Sequence, residues 1–106
     1  MNIAFKATNT TLTPSIKAFI ADKLDIVSKF IKEEDKVRVE LELSKKHHSG
    51  LIFRAEINIQ PHGHYAEARG NDFYEALDLV LPKIKEQLTK QKDKKISLRR
   101  RRQKVK

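Results

Sequence analysis

The chain has 106 residues, 39% of them hydrophobic, no cysteine and a formal charge of +9. This length suits one domain with a modest core, and the missing cysteine excludes a disulfide framework and any thiolate metal site while suiting a reducing cytoplasm. No stretch approaches the ~18 apolar residues of a membrane span, and MNIAFKATNTTLTP lacks the blocks of a signal peptide.

In chain order, Ile3, Phe5 and Ala7 alternate with Asn2, Ala4 and Lys6, which predicts a short strand. Thr13-Pro14 opens a helix, with Thr as N-cap and Pro in the first turn. Ile16, Phe19, Ile20, Leu24, Val27, Phe30 and Ile31 follow as one apolar stripe, which the acidic residues at 33–35 end. VRVELEL alternates strictly: Val37, Val39, Leu41 and Leu43 face one side, Arg38, Glu40 and Glu42 the other. KKHHSG is a polar turn; LIFRAEINI repeats the alternation with Phe53, Ala55, Ile57 and Ile59 inward; PHG turns again; HYAEAR is a fourth strand. Asn71 or Asp72 caps a second helix with Tyr74, Leu77, Leu81, Ile84 and Leu88 on its buried side. Pro82 lies inside that helix and predicts a kink without a stop, because the stripe continues past it.

The fold class that follows is α+β, β-α-β-β-β-α: a four-stranded mixed sheet in the order 1-2-3-4. Strands with one charged face imply a sheet covered on one side only, with both helices there. Glu40, Glu42, Arg54 and Glu56 should be exposed on the open face and Val39, Leu41, Ala55 and Ile57 buried. Residues 1–94 form the domain and 95–106 a basic, disordered tail.

The charge is distributed unevenly. From Lys90 to Lys106 there are ten cationic residues and one acidic residue, so residues 1–89 are neutral. In the second helix Asp72, Glu75 and Asp78 lie early and Lys83, Lys85, Lys90 and Lys92 late. The helix dipole favours that order but does not account for the RRRR beyond. A cationic ridge running into Arg99, Arg100, Arg101 and Arg102 suits a phosphate backbone; a merely solvated tail is the plain alternative.

Other chemistry is poorly supported. His47, His48, His62 and His64 fall on two different turns without cysteine or carboxylate at ligand spacing, so no metal and no cofactor is expected and polar turn roles suffice. Glu33, Glu34, Glu40 and Glu42 read as solvated or cross-strand paired. With three glycines there is no phosphate loop, and no nucleophile has a base beside it in a motif, so an enzyme is not expected. A double-stranded-RNA-binding domain would want a basic start to its last helix, where this chain has NDFYEALD; an RRM would want aromatics on the open sheet face.

TLTPSIKAFIADKL and GNDFYEALDLVLPKIKEQLTKQKDK together resemble the family of ribosome hibernation promoting factor and ribosome-associated inhibitor A, from about Met1 to Lys94. The resemblance implies the β-α-β-β-β-α fold. It also implies binding to the small ribosomal subunit in the cleft between head and body, against ribosomal RNA, in competition with messenger RNA and A- and P-site tRNA. Such a protein stops translation in stationary phase or stress, works in the cytoplasm, and is monomeric off the ribosome. Lys17, Lys23 and Lys29, and Lys83, Lys90, Lys92 and Lys94, match cationic family positions. Glu86 and Thr89 stand near where the family usually has Arg, Gln91 near its His, and Ile26 where many members have Lys; Pro82 is also unusual. The tail arginines then supply phosphate contacts that the ridge lacks. Ribosome-associated inhibitor A typically carries an acidic extension where this chain has its basic tail, so the chain resembles the hibernation promoting branch more closely. A general basic RNA-binding protein is the alternative, and an RNA-processing enzyme the rival of another class.

Overall fold

The structure, a computed structural model, describes residues 2–46 and 50–104, with side chains described for 2–45 and 50–90. His47 and His48 therefore lie outside the described residues, as do the side chains of Lys92, Lys94 and Arg99 to Arg102.

The elements are β1 (Asn2–Thr8), α1 (Pro14–Val27), a 3-10 turn (Ser28–Phe30), β2 (Lys36–Lys46), β3 (Gly50–Gln60), β4 (His64–Gly70) and α2 (Phe73–Lys104). The sheet order is β1-β2-β3-β4. β1 runs parallel to β2, as a crossover through a helix requires, and the remaining pairs are antiparallel hairpins.

Each helix begins where its sequence supplies a cap. The Thr13 hydroxyl accepts the Ile16 N–H at 3.2 Å and Pro14 occupies the first helical position. Asp72 does the same for α2, accepting the Glu75 N–H at 2.7 Å. Gly70 ends β4 close to that helix start: a Cβ there would lie 2.8 Å from the Ala76 nitrogen. α1 buries Ile16, Ile20, Leu24 and Val27. α2 buries Phe73, Ala76, Leu77, Val80, Ile84 and Leu88. The sheet meets them with Val37, Val39, Leu41, Ala55, Ile57, Ile59, Ala66 and Ala68, which complete one core.

Four details differ from the sequence expectation. α1 stops at Val27, because Ser28 turns back to the Asp25 carbonyl through its hydroxyl at 2.7 Å and its N–H; Phe30 and Ile31 still pack against the core from the turn beyond. Phe73, not Tyr74, enters the core, meeting Phe53 edge-on with centroids 4.9 Å apart. Tyr74 stays largely exposed, its ring edge-on to Phe19. On the helix-free face Glu40, Glu42, Arg54 and Glu56 point away from the core but are half-buried, because they cover one another. Burial alone would lower the Arg54 pKa, but hydrogen bonds to Glu67 and Glu56 (2.8 Å each) raise it, with Glu42 4.0 Å away. That single guanidinium offsets Glu56 facing both Glu40 and Glu67 across the strands.

The histidines described are not turn ornaments. His64 is buried as the first residue of β4. His62 Nδ1 lies 2.6 Å from Asp35 Oδ1, and Asp35 Oδ2 accepts the Lys32 N–H at 3.0 Å. This pair ties the turn after β3, which holds Gly63 at φ +74°, to the segment before β2. Asp35 is thus a buried acid, unlike its solvated neighbours Glu33 and Glu34. Burial alone would raise its pKa, but the His62 and Lys32 hydrogen bonds outweigh that and hold it below the ordinary 3.8. A carboxylate with a depressed folded pKa adds stability that is full above its unfolded value and lost as pH falls through the folded one. Thermal melts of Asp35→Asn and the wild type should therefore differ most above about pH 4 and converge below it; a difference unchanged down to pH 2 would contradict this role.

α2 continues through Pro82. The ring removes one helical N–H and leaves the Asp78 carbonyl without its usual donor. Pro82 is exposed, so Pro82→Ala should stabilise the chain by ~1–3 kcal/mol in urea unfolding, and a destabilised variant would show that packing needs the ring. α2 also passes Lys94 without a backbone break, where the sequence reading divides domain from tail. Lys, Gln, Leu and Arg after Pro82 are all good helix formers.

Candidate nucleic-acid interface

The side of the sheet covered by α1 and α2 carries the described residues that the sequence proposes for RNA contact. Lys17 is exposed, with its ammonium 5.8 Å from the Phe5 ring centroid. Lys29, in the 3-10 turn, stands 5.2 Å over Phe30. Lys23 lies 5.4 Å over Phe19 and 3.7 Å from Asp78 of α2, which brings the two helices' charges together. Aromatic rings under ammonium groups hold them in place while leaving their outer hydrogens to solvent.

On α2, Lys83 and Gln87 serve the sheet. Lys83 donates to the Glu67 carbonyl at 3.0 Å. The Gln87 amide accepts the Tyr65 N–H at 3.0 Å and donates to the Tyr65 carbonyl at 2.6 Å. Tyr65 and Glu67 alternate along β4, an edge strand, so side chains one helical turn apart close backbone groups that would otherwise invite another strand. Lys83 thus has a structural task beside any phosphate contact. Lys90 pairs with Glu86 at 2.8 Å, one turn back; the hydrogen bond and charge of the pair lower the Glu86 pKa and raise that of Lys90. Both are well exposed, a pairing that a stronger anion can displace.

Lys85 is a cation the sequence reading left out of the site. It shares with Lys23 the rim of a groove between α1 and α2, walled by Ile26, Val27, Leu81 and Pro82. Its place on α2 three residues after Pro82 gives no hint of this, because the groove exists only once the two helices pack.

The chain is a single-faced α+β domain with a lysine-studded helical side, and its sequence assigns it further. Residues 3–96 match the model of the Sigma 54 modulation protein / S30EA ribosomal protein family, and the chain belongs to that family. It is 29% identical over 96 residues to the ribosome hibernation promoting factor of Klebsiella oxytoca, covering 89% of this chain and 96% of that protein. The ribosome hibernation promoting factor of Escherichia coli K12 is 28% identical over 94 residues, with the same coverage. Among solved structures, the Thermus thermophilus Protein Y N-terminal domain superposes with a TM-score of 0.71 at 26% identity, covering 85% of this chain and 98% of that one. A ribosomal subunit interface protein from Coxiella burnetii shares the fold at TM-score 0.67 and 22% identity, covering 88% and 99%.

Proposed function

We propose that this protein is a ribosome hibernation factor of the cytoplasm that binds the small subunit against its ribosomal RNA, in the decoding cleft. There it excludes messenger RNA and A- and P-site tRNA and stops translation in stationary phase or stress. The observation that carries this reading is the reach of the family match: it spans the whole folded domain, and the chain covers almost the full length of proteins named ribosome hibernation promoting factors. In this reading Lys17, Lys23, Lys29, Lys83 and Lys90 make local phosphate contacts from the helical side. Lys92, Lys94 and the arginines 99–102 extend them along the basic segment 95–106, a tail to the domain 1–94. The protein acts by occupancy, without a catalytic step, and is a monomer off the ribosome.

The test is tRNA binding to small subunits programmed with a short message, measured against increasing protein. Stoichiometric loss of bound tRNA is expected, with the ribosomal RNA intact in the presence and absence of chelator. Undiminished tRNA binding at saturating protein contradicts the proposal, and cleaved RNA would reassign the protein to an enzyme class.

A further inference from the structure

The groove between α1 and α2 is open to solvent and offers about 280 Å³, just below the ~300 Å³ at which small-ligand sites begin. Its walls are aliphatic, and one of them, Ile26, is 59% exposed. Two acceptors stand beside them. The Asp78 carboxylate is 57% exposed and has Lys23 3.7 Å away. The Asp78 carbonyl lacks its helical donor because residue 82 is proline. At the rim are the ammonium groups of Lys23 and Lys85.

These features set three demands on an occupant: an apolar body for the walls, N–H donors for the acceptors, and negative charge for the lysines. An arginine side chain satisfies the first two, but two ammonium groups repel it. An acidic peptide segment satisfies the third and brings further acceptors against Asp78. A nucleotide satisfies all three when its base carries an exocyclic amine, since carboxylates accept from such amines and phosphates pair with lysines. RNA is read chiefly through unstacked bases of this kind.

We propose that the groove takes one unstacked, amino-bearing base of an RNA strand, with the flanking phosphates on Lys23 and Lys85 and the amine on Asp78. This deepens the ribosomal-RNA reading and rests on it for the source of the strand.

The probes are the trinucleotides CCC and UUU, which carry equal charge; cytosine offers an exocyclic amine with two N–H donors for the two acceptors, where uracil offers a carbonyl and a single ring N–H. They are titrated into the full chain while the methyl resonances of Ile26 and Leu81 are followed by NMR. CCC should shift those methyls at a concentration about fivefold lower than UUU, the worth of one hydrogen bond. Asp78→Asn should narrow the difference, and so should Pro82→Ala, which gives the Asp78 carbonyl an N–H. Both positions are exposed, so neither variant threatens the fold. Equal responses to CCC and UUU, no methyl shift with either, or a preference that survives both substitutions would each overturn the proposal. Co-sedimentation with small subunits separates the two claims. A chain that sediments with the subunit yet treats CCC and UUU alike loses only the groove. A chain that prefers CCC but ignores the subunit keeps the groove and loses the ribosomal reading.

Discussion

Removing the residues beyond Lys92 should reduce the salt dependence of subunit binding by about three in the slope of log affinity against log salt. The truncation deletes eight cationic residues: Lys94, Lys95, Arg99, Arg100, Arg101, Arg102, Lys104 and Lys106. Each phosphate neutralised contributes ~0.7–0.9 to that slope, so about four contacts give the expected change. The remaining body is near neutral, and Lys17, Lys23, Lys29, Lys83 and Lys90 are tethered to rings, carboxylates or backbone. The loss of affinity should therefore be largest at low salt. Site choice should persist, because phosphate contacts carry little sequence information. The measurement is co-sedimentation of both chains with ribosomes across a salt series. An unchanged slope would make the basic segment a solvated bystander, and a lost site preference would make it the recognising element.

Ile57→Ala should cost ~3–5 kcal/mol, the upper part of the range for buried isoleucine. Ile57 is fully buried in β3, between Val39 of β2 and Ala66 of β4. Its sheet neighbours are a β-branched residue and an alanine, and neither reaches across to fill the space, so a cavity persists. Asn58→Ala, one residue along and on the helix-free face, should change stability by under ~0.5 kcal/mol. Urea unfolding of the two variants measures the contrast directly. Similar costs at both positions would mean that the one-sided core is drawn wrongly, since a one-residue slip exchanges the two faces.

The strands and the sheet order were legible because VRVELEL alternates throughout and LIFRAEINI does so from Phe53 onward, and a covered face fixes their register. The helix starts were legible from Thr13-Pro14 and Asp72, whose side chains do cap. Periodicity failed where two readings fit the same spacing. Phe30 and Ile31 continue the α1 stripe in sequence, yet Ser28 bends the chain before them. Phe73 and Tyr74 are adjacent aromatics, and it is Phe73 that turns inward, against Phe53 of β3. Long-range partners left no local trace: His62 finds Asp35 across 27 residues, and Gln87 finds Tyr65 across 22. The candidate site was half legible for the same reason. Lysine positions are written in the chain, whereas the groove and the role of Lys83 at the β4 edge follow from packing.

In the function proposed for it, this chain holds the small ribosomal subunit. Isolated small and large subunits, each mixed with the full-length protein and run separately through sucrose gradients at moderate salt, test it most directly. One protein per small subunit is expected in the small-subunit peak, displaced by prior loading of messenger and tRNA, and none with the large subunit. Equal recovery with both subunits would show general RNA affinity, and protein left at the top of both gradients would contradict ribosome binding altogether.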